Sequence, residues 1–164
     1  MDATRLFEEH HPALFRYLVR LTGDADLAHD AAQEAFVRLI SKPPRDEQPR
    51  AWLFTVATNV VRAWANSRNR RLRLLEAATD RAPAGDAPIA PDDFTAAREL
   101  GGRVRDALAT LNEKERTILL MREEGFTHRE IADAVGSTTG SIGTMIARAL
   151  DKLAAELPLD AETV

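Results

Sequence analysis

Residues 49–73 read PRAWLFTVATNVVRAWANSRNRRLR, and no residue after Pro49 breaks a helix. Proline suits a first helical position, where its missing N–H costs nothing. Wound at 100° per residue, the stretch has two faces. Leu53, Val56, Ala57, Val60 and Trp64 fall on one arc and predict a core stripe. Trp52, Thr55, Asn59, Arg62 and Asn66 fall on the opposite side, which then runs into Arg68, Arg70, Arg71 and Arg73. An aromatic ring offers a stacking platform for an unpaired base, while amides and guanidiniums reach base edges and phosphates. This second stripe is therefore a candidate nucleic-acid surface. A solvated basic helix end is the plainer alternative.

The charge distribution favours the first reading. The 164-residue chain is acidic overall, with a net charge of -4. Residues 41–75 nevertheless carry eight basic side chains against two acidic ones. A local patch, rather than the total, decides whether a surface can dock on phosphates. The absence of cysteine excludes a disulfide framework, a thiolate nucleophile and a cysteine-type zinc site. The opening MDATRLFEEHHP has neither a basic nor an apolar leader region, and no apolar run approaches a membrane span. The expectation is a soluble cytoplasmic protein.

On either side of the central helix the pattern stays helical. Leu6, Phe7, Leu14, Leu18 and Leu21 predict a helix over 4–21, with Pro12 expected to kink or split it. Thr22-Gly23 ends it, and Asp24 or Asp26 caps a second helix over about 26–40. Leu27, Ala31, Ala35, Phe36 and Leu39 form that helix's apolar stripe, and Asp26, Asp30, Gln33 and Glu34 give it an acidic polar face. Residues 41–50 are a loop.

A segment rich in Ala, Pro, Gly and Asp, ending at Asp93, cannot build a core and predicts a flexible linker over 76–93 between domains 1–75 and 94–164. Beyond it, four helices are expected: 94–110, 113–124 after the cap Asn112, 128–135 after Thr127, and one from Thr138 or Thr139 to about Leu157. The fold class is all-α: two small helical domains with no strand.

THREIADAVGSTTGSIGTMI, 127–146, has helix-turn-helix spacing. Ile131 and Ala132 pack the first helix, Gly136 makes the turn, and Val135, Ile142 and Met145 are expected in the core. Ser137, Thr139, Ser141, Thr144, Arg148 and Lys152 would then face outward. Serine and threonine suit phosphate contacts and arginine suits guanine. Gly140 and Gly143 leave this helix little reach, so weak DNA binding by the domain alone is expected. Catalytic readings find no support. His10, His11, His29 and His128 lack partners at metal-ligand spacing, there is no glycine-rich phosphate loop, and no cofactor or metal is expected.

Three stretches together resemble the extracytoplasmic-function group of bacterial RNA polymerase sigma factors: DAAQEAF at 30–36, PRAWLFTVATNVVRAW at 49–64, and the run from Leu111 to Leu153. The resemblance implies a promoter-specificity subunit rather than an enzyme. Its implied partners are bacterial core RNA polymerase, promoter DNA and an anti-sigma factor.

The resemblance further implies that Asp26, Asp30, Gln33 and Glu34 meet the polymerase clamp. Trp52, Thr55, Asn59, Arg62, Asn66, Arg68, Arg70, Arg71 and the 41–50 loop would take the −10 element, with a flipped base near Asn59. Arg129, Ser137, Thr139, Ser141, Thr144 and Arg148 would take the −35 element. The linker would thread toward the polymerase's active-site and RNA-exit channels. Family members often carry Lys or Arg where this chain has Gly143 and Met145, which implies weak −35 binding. A stand-alone helix-turn-helix regulator and a protein-binding helical adaptor are the rival readings; dependence on core polymerase and promoter-dependent transcription discriminate them.

Overall fold

A computed structural model describes residues 2–45, 48–79 and 95–157; of 78–79 and 95–100 only the backbone is described. Within them lie seven helices and no strand: α1 Ala3–Thr22, α2 Ala25–Ser41, α3 Pro49–Thr79, α4 Thr95–Thr110, α5 Glu113–Glu123, α6 His128–Val135 and α7 Thr139–Glu156. The chain divides into two compact units, Met1–Ile89 and Ala90–Val164, and this boundary falls inside the expected linker. The start of that linker is helical, because α3 runs on past Leu75 to Thr79. Residues 80–93 lie outside the described residues, as do Asp46 and Glu47 of the 41–50 loop.

The first unit packs α1, α2 and α3 around one core. Each helix start is set by local chemistry. The Asp2 carboxylate accepts from Thr4 N, at 3.1 Å, and from Arg5 N; that of Asp24 accepts from Asp26 N at 3.0 Å and Leu27 N at 3.1 Å. Gly23 closes α1 with φ 71°, a conformation that costs other residues energy.

Pro12 lies inside α1 but does not split it. The residue is exposed. The one backbone bond that proline removes therefore faces solvent, where water can serve the orphaned carbonyl.

The core differs in detail from the sequence expectation. Phe7 is 42% exposed, and Leu6 and Leu27 are half-buried. Ala28, Ala31, Ala32 and Ala35 of α2 are fully buried, and their small size lets the helices approach closely. On α3 the buried arc is Leu53, Phe54, Ala57, Thr58, Val60 and Val61, with Val56 half-buried and Trp64 37% exposed. Thr58 is the buried polar residue of this core. Its hydroxyl donates to the Phe54 carbonyl at 2.6 Å and meets the Tyr17 hydroxyl at 2.8 Å, so both polar groups are satisfied.

The second unit is held by two capping boxes. Asn112 Oδ1 accepts from Glu115 N at 2.8 Å while Glu115 accepts from Asn112 N at 3.0 Å. Thr127 Oγ1 accepts from Glu130 N at 3.2 Å while Glu130 accepts from Thr127 N at 2.8 Å. Gly125 (φ 89°) and Gly136 (φ 68°) supply the left-handed turns on either side of α6.

Arg116 donates to the Leu108 and Leu111 carbonyls at 3.0 and 3.1 Å, closing the C-terminal end of α4. Ile131, Ala132 and Val135 of α6 bury against Ile142 and Ile146 of α7. The expected core residue Met145 is only half-buried, because Ile146, one position on, is the residue that faces α6 and α5.

Candidate nucleic-acid interface and docking face

Because α3's inner arc is fixed by the core, its opposite face is fixed as the outer one. Trp52 and Thr55 are half-buried there, and Asn59 and Asn66 are exposed. Arg62 is half-buried and already has an interaction within the protein. Arg70 continues the same face, and Arg50 at its start lies 5.5 Å over the Phe54 ring. Asn59 has no hydrogen-bond partner among the described residues, so its amide is presented outward unspent.

Arg68 and Arg71 do not share that face. They turn with Trp64 toward α2. Trp64, Ser67, Arg68 and Arg71 line one wall of an open groove of about 540 Å³, and Leu27 and Asp30 of α2 line the other. The expected single basic stripe is thus split between two sides of α3, as its helical period requires.

The acidic face of α2 is likewise less uniform than the sequence suggested. Asp26, Asp30 and Gln33 are exposed. Asp30 lines the same groove as Arg68 and Arg71. Glu34 forms an exposed pair with Arg38 at 2.8 Å. The Gln33 amide meets His29 Nε2 at 3.2 Å. Val37 and Ile40, 57% and 59% exposed, extend this surface with apolar area that charge patterning did not indicate.

Beside it, His11 is stacked on Phe7 at 4.4 Å, with Phe15 and His29 at 6.0 and 6.5 Å. Its Nε2 is buried without a partner. Burial, and secondarily the neighbouring His29, hold its pKa below the ordinary value. Sequence reasoning weighed this histidine only as a metal ligand; the i, i+4 spacing that puts it between Phe7 and Phe15 was the available signal.

In the second unit, Thr139, Thr144 and Arg148 are exposed along α7, and Arg129 is exposed on the first turn of α6. Two of the expected outward residues are otherwise occupied. Ser141 Oγ donates to the Thr138 carbonyl at 2.8 Å and accepts from Thr138 Oγ1 at 3.0 Å. Lys152 is bound to Glu115 across the helices, and that contact lowers the pKa of the carboxyl group. Ser137 is half-buried in the turn, its N–H donating to the Ala132 carbonyl at 3.0 Å. Among the described residues no helix is long and apolar enough to cross a membrane.

The chain thus joins a helical unit with a polar, aromatic and basic outer face to a helix-turn-helix unit. Residues 6–71 match the family model of sigma-70 region 2, and residues 101–153 match sigma-70 region 4. The chain is 33% identical over 142 residues to the ECF RNA polymerase sigma factor SigL of Mycobacterium tuberculosis, spanning 84% of this chain and 78% of that one. It is 26% identical to the ECF sigma factor BldN of Streptomyces coelicolor, over 96% of this chain and 61% of that one. The solved sigma factor RpoE of Bartonella quintana, in complex with the anti-sigma factor NepR, has the same fold: TM-score 0.78, 21% identity, 96% of this chain and 97% of that one. The chain belongs to the ECF RNA polymerase sigma factors, and the readings as a stand-alone regulator or an adaptor fall with that.

Proposed function

We propose that the first unit docks on core polymerase through α2 and opens the −10 element with the outer face of α3, while α7 takes the −35 element. The observation that carries this is the outer face of α3: Trp52, Thr55, Asn59, Asn66 and Arg70 lie opposite a core arc that fixes the helix's rotation. Asn59 holds a base flipped out of the duplex, Trp52 gives that strand an aromatic surface, and Arg70 neutralises phosphate. Unpairing costs a few kcal/mol, which capture of the flipped base offsets. Asp26, Asp30, Gln33 and Glu34 orient the clamp contact, and Val37 and Ile40 add apolar area to it.

On α7, Arg148 reads a base edge and Thr139 and Thr144 meet phosphates, joined by Arg129 from α6. Ser137 and Ser141, held by contacts within the unit, contribute through the backbone. Each unit alone binds weakly, and tethering both to polymerase raises the effective concentration of the second contact. The protein contributes no catalytic group and works in the cytoplasm with the polymerase. An anti-sigma partner that covers these faces is proposed by analogy with the fold neighbours, which are bound to NepR.

Run-off transcription with core polymerase over a promoter library tests the assignment. Reversing Arg70 to Glu should abolish initiation without loss of core binding. Undiminished initiation would remove α3's outer face from the mechanism.

A further inference from the structure

The recognition helix is unusually bare where it should reach DNA. Gly140 and Gly143 are exposed and carry no side chain, and Ala147 adds a methyl group. Around Gly140 there is nothing within 4 Å of a Cβ position. A Cβ at Gly143 would meet one neighbour, His128 Cε1, at 3.8 Å. The imidazole of His128 therefore lies in ordinary contact distance of the space above Gly143, one residue from Thr144.

His128 is exposed and its side chain makes no hydrogen bond among the described residues. Whichever tautomer it adopts, its ring carries one donor and one acceptor. It begins α6, directly after the cap Thr127. Its neighbour Glu130 is held by Thr127, whose N–H donates at 2.8 Å and whose hydroxyl donates at 3.1 Å. In this motif the first helix crosses the DNA backbone while the second enters the groove. A side chain that starts the first helix and leans over the second stands where the backbone passes.

We propose that His128 is a DNA-contacting residue of the helix-turn-helix, hydrogen-bonding a backbone phosphate in the place left open by Gly143. This rests on the reading that α7 docks at the −35 element. It assigns the contact to a residue of α6 that charge and motif patterning pass over.

The test uses the full chain assembled with core polymerase. The DNA is a set of duplex promoters recovered by the wild-type holoenzyme from a library randomised across both elements. His128→Ala should weaken holoenzyme binding about two- to tenfold, the range of one lost hydrogen bond. His128→Gln, which keeps a donor and an acceptor, should retain most of the affinity. In a Gly143→Arg background the new guanidinium reaches the same phosphate, so His128→Ala should then change affinity by less than about twofold. Circular dichroism melting should be unchanged, since His128 is exposed.

Wild-type affinity for His128→Ala overturns the proposal, as does an equal loss in both backgrounds. Arg148→Ala on the same promoters separates the two layers. If it too leaves affinity unchanged, the docking of α7 has failed; if it alone weakens binding, only the role of His128 has.

Discussion

Neighbours on α3, Asn59 and Thr58 should fail in opposite ways. Asn59 is exposed and has no partner among the described residues, so Asn59→Ala removes no contact of the fold. Asparagine is a poorer helix former than alanine, so the unit should melt unchanged or be stabilised by about 0.5 kcal/mol. If its amide holds a flipped base, the loss appears only in open-complex formation. One unmatched polar contact costs on the order of 1–3 kcal/mol, roughly 5- to 150-fold in the open-complex equilibrium.

Thr58→Val is nearly isosteric but deletes the hydroxyl that meets Tyr17 at 2.8 Å in a fully buried site. It should destabilise the unit by about 1–3 kcal/mol. At wild-type occupancy it should leave melting of the −10 element unaltered. The assay is permanganate reactivity of −10 thymines on duplex promoters, beside thermal unfolding followed by circular dichroism. A pre-melted bubble template should partly restore Asn59→Ala, because unpairing no longer has to be driven. Equal thymine reactivity in wild type and Asn59→Ala on duplex DNA would refute the reasoning and leave Asn59 an ordinary surface residue.

Asp26→Lys combined with Glu34→Lys should keep the fold and lower affinity for core polymerase, with the deficit shrinking as salt rises; unchanged holoenzyme assembly at low salt would count against the docking face. Arg148→Ala should reduce use of −35-dependent promoters by about 1–3 kcal/mol of discrimination, and an equal loss on templates with a scrambled −35 would show that it reads no base. Because the folded state holds His11's pKa below its ordinary 6.5, its stabilising neutral form is fully present above that value. As pH falls the unfolded chain takes the proton first, so stability drops until the folded-state pKa is passed. His11→Phe should flatten this decline as pH falls below the ordinary value of 6.5 in thermal melts, and an unaltered slope would place the acid sensitivity elsewhere.

The helices and their caps were legible because they are written locally. Asn112 with Glu115, Thr127 with Glu130, and the glycines at 23 and 136 act over three or four residues, which a linear reading captures. The rotation of each helix was legible only to within a residue or so. Met145 and Ile146 are both apolar, and periodicity alone does not say which one meets α6. Trp64 read as core because it is large and on the right arc, yet it is 37% exposed and forms a groove wall. Contacts between distant residues were not legible at all. Nothing in composition pairs Lys152 with Glu115, or brings His128 over Gly143, since each depends on how two helices cross.

The groove between α2 and α3 governs how the docking face has to be probed. Asp30 shares it with Arg68 and Arg71, whose side chains form no ion pair among the described residues. A lysine at position 30 would add a third cationic side chain to a groove already lined by two arginines. Any loss of polymerase affinity would then mix a lost docking charge with displacement of α3's basic end. Asp26 lies outside the groove lining, and Glu34 is bound to Arg38 on its own helix, so reversing these two changes the docking charge at the cost of one exposed pair and of Asp26's favourable place in the first turn of α2. The pair is worth about 0.3–0.5 kcal/mol and the helix-end charge about 0.3–1 kcal/mol, together too little to unfold the unit. If Asp30→Lys impairs promoter melting as well as assembly while the Asp26/Glu34 double variant impairs assembly alone, the difference measures what the groove transmits from α2 to α3.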